Sequence, residues 1–98
     1  MGRLPKGDVL FTPDQREARR RQACAKARAY IARVTRYDGR GSLRDDLRKE
    51  LLDEGFAISI FAVYRIANPA SRVAINDRTL DRFLRGIRAI EKRRKIRL

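Results

Sequence analysis

The chain has no histidine and no tryptophan, and it holds one cysteine and one methionine in 98 residues. Histidine is the side chain whose ordinary pKa lies nearest neutrality, so its absence removes the commonest proton carrier of enzymes. The remaining nucleophiles are isolated: Ser59 and Ser71 read as cap and loop residues, and the carboxylates scatter over helix surfaces. Gly39 and Gly41 lack the following lysine and the strand context of a phosphate loop. Catalysis is not expected, and no cofactor or metal set is legible. Cys24 has no partner for an internal disulfide and reads as a small apolar helix residue in a reducing compartment. No apolar run approaches the roughly 18 residues that would cross a membrane, and no apolar stretch follows a basic start. The chain is therefore read as cytoplasmic, with no membrane partner.

Acid is the scarce sign of charge. Lys and Arg number 25 against 12 acids, a formal net charge of +13. Such an excess points to a polyanionic partner. A chain of this length makes one small domain and buries only about two thirds of its unfolded surface, so any core must be tight.

Residues 1–11 mix Gly2, Pro5 and Gly7 with no sustained period and are read as an N-terminal arm. Thr12-Pro13-Asp14-Gln15 is a helix start, with Thr12 as N-cap, Pro13 at the first helical position and Gln15 completing a capping box. The basic helix spans 12–38, fading near Tyr37, where Asp38-Gly39-Arg40-Gly41-Ser42 breaks it. Ala23, Ala27, Tyr30, Val34 and Tyr37 recur at helical spacing, with Ile31 beside them. Alanine buries little surface, so tight packing is expected from Tyr30 onward and the start of the helix is expected to project. Its other side carries Arg16, Arg19, Arg20, Arg21, Lys26, Arg28, Arg33 and Arg36, most without an acid one turn away. The strip is either a solvated face or a phosphate-tracking one in which Arg20 and Arg28 touch the polyanion.

From Ser42 the pattern changes. Ser42 is a cap, Asp45 and Asp46 complement the first turn, Leu43, Leu47, Leu51 and Leu52 form the apolar stripe, and Gly55 ends the helix. Ile58 to Asn68 frames a short helix, capped by Ser59 and stopped at Asn68-Pro69. In it Val63, Ile66 and Ala67 face the core with Phe56 and Ile58, while Ile60, Phe61, Tyr64, Arg65 and Asn68 look outward. A helix this short needs neighbours to hold it. A loop with Arg72 leads to Asn76 or Asp77, which starts a last helix with the stripe Leu80, Phe83, Leu84, Ile87 and Ile90. Gly86 inside it suggests a close helix approach. Residues 91–98 are read as a frayed basic tail. The architecture expected is all-α: a helix-turn-helix core of three helices over 42–90, preceded by a long basic N-terminal helix.

The segment Ile58 to Val73 resembles the recognition helix and following loop of LacI-type repressor headpieces, where a valine-serine start leads to V-x-R-x-x-N-x-A-S-x-V; here Val63, Arg65, Asn68, Ala70, Ser71 and Val73 occupy it. Ile75-Asn76-Asp77-Arg78-Thr79-Leu80 is similar to the entry of the next helix in Cro/C1-type domains. Both belong to the lambda-repressor-like group. The resemblance implies a sequence-specific DNA-binding transcriptional regulator, a repressor acting as a homodimer on double-stranded DNA and associated with the nucleoid. By position it implies that Ser59 caps the recognition helix, that Ile60 and Phe61 face the groove first, that Arg65 reaches a base edge, and that Tyr64 and Asn68 meet phosphates. Arg72 and Arg78 join them as DNA-binding residues. The turn from Glu54 to Ser59 is longer than the family's, and Ile60 and Phe61 are apolar where base readers are usually polar. Two other classes stay open. One is a small protein-binding inhibitor or adaptor that anchors through Ile60, Phe61 and Tyr64; the other is a structured-RNA-binding protein using the arginine-rich helix.

Overall fold

The computed structural model describes residues 10–34 and 43–98. Among them the fold is all-helical: α1 is Pro13–Arg33, α2 Leu43–Asp53, α3 Ile60–Ala67 and α4 Asp77–Arg94. The proposed break at 38–42, the Ser42 cap, Arg36 and Tyr37 lie outside the described residues, as does the side chain of Leu43.

α1 opens as its sequence dictates. Thr12 is extended at φ −66° and ψ 163°, its hydroxyl accepts from the Gln15 amide, and the Gln15 side chain accepts from the Thr12 amide at 3.0 Å. The helix closes at Arg33, short of the expected Tyr37, with the Val34 amide donating to the Tyr30 carbonyl. α1 packs against all three other helices. Ala23 and Ala27 are fully buried beside Tyr30, because a methyl side chain lets a neighbouring helix backbone come close.

The start of α1 does not project. The buried Asp77 at the head of α4 accepts from the backbone amides of Leu10 and Phe11 and from Nε and Nη2 of Arg16. The arm is thereby pinned from Leu10 onward.

α2 ends in a Schellman arrangement. Gly55 takes φ 90°, its amide donates to the Leu52 carbonyl, and the Phe56 amide donates to the Leu51 carbonyl at 2.8 Å. Glycine suits this left-handed position because it has no Cβ to clash. Phe56 and Leu51 then both lie over Gly86 of α4, where an added Cβ would meet Leu51 Cδ2 at 2.5 Å and Phe56 Cβ at 3.1 Å. The interior glycine is there because α2 leaves no room for a side chain. Leu47 and Leu51 are fully buried as expected, but Leu52 is half exposed, since it lies one position round the helix from the stripe.

α3 has only eight residues and is held by α1 and α2 through Val63, Ile66 and Ala67. α4 supplies Leu80, Phe83, Ile87 and Ile90, each buried completely. Side chains of this kind stabilise the fold by about 1.5–3 kcal/mol each relative to exposure.

The carboxylates do not all lie on helix surfaces, and the C-terminal segment is not frayed. Glu50 is buried, taking the Tyr30 hydroxyl together with Arg93 and Arg94 of α4, the latter through Nε at 2.7 Å and Nη2 at 2.8 Å. Arg93 also bonds Glu54. α4 therefore runs on to Arg94, and Lys95 caps it in the left-handed conformation at φ 55°. Glu91 then accepts from the Leu98 amide and from Lys26 of α1, so the chain end folds back on its own helix. Arg93 and Arg94 look free in the sequence because their acids, Glu50 and Glu54, come from α2 and its C-terminal turn.

Candidate nucleic-acid interface

Three regions of the surface collect the residues singled out in the sequence. The first is the outer side of α3. Ser59 caps the helix by accepting from the Ala62 amide at 3.1 Å and is itself exposed. Phe61 is 69 % exposed, a large unburied surface for an aromatic side chain in a small core-poor fold. Tyr64, Arg65 and Asn68 are exposed with it, and Ile60 is half-buried. The helical period puts Phe61, Tyr64, Arg65 and Asn68 on one side and Val63, Ile66 and Ala67 on the other. Tyr64 is engaged from α2: the guanidinium of Arg44 lies over its ring, 5.3 Å from the centroid. That contact fixes the ring of a residue expected to meet phosphate.

The second region is a groove of about 770 Å³ between α1 and the loop that follows α3. Arg20, Arg21, Arg28 and Arg72 line it together with Asn68. The loop is shaped by its own side chains: Asn68 Oδ1 accepts from the Ala70 amide, and Ser71 Oγ accepts from the Val73 amide. Arg20 reaches across from α1 to donate Nη1 to the Val73 carbonyl at 2.9 Å. It is thus a strut for the loop, half-buried at the groove wall.

The third region lies between the starts of α3 and α4. Ser59 and Asn76, the N-caps of these helices, line a concavity with Arg78 and Arg82. Unpaired amides and the helix dipoles make such a place electropositive. Arg82 donates to the Ala57 carbonyl at 3.3 Å. It was not singled out in the sequence, although its spacing of four from Arg78 on a helix was sufficient to place them together.

The basic strip of α1 is only partly available. Arg16 is spent on Asp77, Lys26 on Glu91, Arg21 on Glu17 one turn back, and Arg33 on the Arg97 carbonyl. Arg19 lies over the Phe11 ring at 5.8 Å. Arg28 is exposed at the groove edge. Asp77 and Glu91, which neutralise Arg16 and Lys26, sit over sixty positions away in sequence, so no local spacing could reveal them.

The titrations follow the same contacts. The Arg16 guanidinium holds the Asp77 carboxyl down at about 2 against the opposing effect of burial, with help from the Phe11 and Leu10 amides. Burial pushes the Glu50 carboxyl up, but Arg94 and Tyr30 together outweigh it and leave the group below its ordinary value. Burial and the Glu50 carboxylate raise the Tyr30 phenol well above its ordinary value. All three groups brace helices against one another.

No protein-family model matches this chain, and neither a curated protein nor a solved structure shows significant similarity to it. Among the described residues, no helix is long and apolar enough to cross a membrane.

Proposed function

We propose that the protein is a sequence-specific DNA-binding regulator, a repressor acting as a dimer, in which α2 and α3 form a helix-turn-helix and α3 enters the major groove. The observation that carries this reading is the division of α3: its inner side is sealed by α1 and α2, while Phe61, Tyr64, Arg65 and Asn68 stand together outside. A second helix presented this way is the part that reads base edges in such motifs. Arg65 suits the paired acceptors of guanine, and Phe61 suits the methyl group of thymine. The net charge of +13 supplies the attraction to phosphate.

Selection of random duplexes by the purified chain tests the proposal. Enrichment of a motif, as an inverted repeat for a dimer, is the expected result, and Arg65→Ala should relax preference at one base position at a cost of about 1–3 kcal/mol. Absence of any salt-sensitive shift with duplex DNA at low micromolar protein sinks it.

The exposure of Phe61 supports a second reading, in which this face anchors an acidic protein partner. Capture of a partner that resists nuclease and depends on Phe61 separates the two. Structured RNA remains the third candidate ligand, distinguished by DNA against RNA competition.

A further inference from the structure

Phosphate recognition calls for guanidiniums around an open volume whose donors are not already taken by carboxylates. The groove between α1 and the 68–72 loop meets those terms. Arg20 is committed to the Val73 carbonyl and Arg21 to Glu17. Arg28 and Arg72 are exposed on the groove's lining, and among the described residues neither has a hydrogen bond or ion pair. Glu17 on the same lining pairs with Arg21, and the other arginines around the concavity repel one another unless a further anion joins them.

The size of the groove narrows the ligand. Nη2 of Arg20 is covered from solvent without an acceptor and so lies out of a groove ligand's reach. The volume of about 770 Å³ far exceeds a bare phosphate, and Cys24, Ala25, Pro69 and Ala70 add apolar surface beside the arginines. A phosphoryl group with a sugar attached fits both the charge and the size.

We infer that this groove binds the phosphoryl group of a nucleotide, held by Arg28 from α1 and Arg72 from the loop, with its sugar against the apolar wall. Arg20 is a positioning residue that keeps the loop at its distance from α1. The phosphoryl group comes either from the backbone of DNA passing the Asn68 end of α3, a source that rests on the DNA-binding reading above, or from a free mononucleotide, which does not.

Cys24 is the sole thiol and lines the groove, so its alkylation by iodoacetamide in the full chain reports on occupancy. The rate is measured alone, with millimolar AMP, and with a random-sequence duplex at low salt. The expected result is a several-fold slowing by one of these ligands, lost in the Arg28→Ala/Arg72→Ala variant. Slowing by AMP assigns a free nucleotide; slowing by the duplex alone assigns the backbone. In the latter case the double variant also lowers the log–log salt slope of duplex binding by roughly 2, with sequence preference unchanged. Arg28→Gln/Arg72→Gln, which keeps hydrogen-bonding side chains, serves if the alanine variant folds poorly. No protection by either ligand, or protection that survives both double variants, overturns the inference. Duplex binding with Cys24 unprotected removes the groove site and keeps the α3 reading; AMP protection without duplex binding does the reverse.

Discussion

Arg16 of α1 and Asp77 of α4 lie 61 residues apart and meet through a two-point contact, Nε to Oδ1 at 2.6 Å and Nη2 to Oδ2 at 3.1 Å. Asp77 is 1 % exposed, and its Oδ2 also takes the amides of Leu10 and Phe11. One carboxylate thus fixes the entry to α1 against the entry to α4.

That contact sets an acid limit on stability. The Asp77 carboxyl is held at about 2, below its ordinary 3.8. In the interval between these values the unfolded chain binds more protons than the folded one, so stability rises with pH there. The contribution is complete above about pH 4 and is lost as pH falls toward 2, on the order of 1–2 kcal/mol after allowing for the partly exposed arginine. Urea melts of the native chain and of Asp77→Asn between pH 2 and 5 should converge as pH falls. Parallel curves would rule out this role.

Glu50→Gln should destabilise by about 2–4 kcal/mol, since it leaves two arginines of α4 facing a neutral group in a covered position. In a double-mutant cycle with Tyr30→Phe, the coupling should exceed about 0.5 kcal/mol, because both changes break one hydrogen-bonded network. Chemical denaturation at neutral pH measures both values.

Gly86→Ala should destabilise by about 1 kcal/mol, although alanine is the better helix former by a similar amount. The new methyl would press on Leu51 and Phe56. Combined with Leu51→Ala, which alone costs about 2–5 kcal/mol, it should recover part of the loss by filling space. Strict additivity of the two changes would contradict this packing.

Phe61→Ser should leave the melting temperature almost unchanged, because a side chain 69 % exposed contributes little to the core. Duplex affinity should fall at least tenfold if α3 faces the groove. A variant with wild-type affinity would remove Phe61 from the interface.

Much of the local structure was legible in the chain. The Thr12–Gln15 capping box, the Ser59 and Asn76 caps, the Gly55 terminus and the leucine and isoleucine stripes all depend on residues within a turn or two of each other. The outward side of α3 followed from the same period. The exposure of Leu52 escaped because it adjoins the stripe, one step of the helix away from burial.

Sequence by itself determined the helix starts and stripes, the sign of the charge and the lack of histidine, because each is a matter of residue type or near-neighbour spacing. Only the tertiary structure decided which charges are spent. Asp77, Glu50 and Glu91 neutralise Arg16, Arg93, Arg94 and Lys26 from other helices, while Arg28, Arg72 and the outer side of α3 stay exposed. Coulomb partners are chosen by distance in space, and no period along the chain records it.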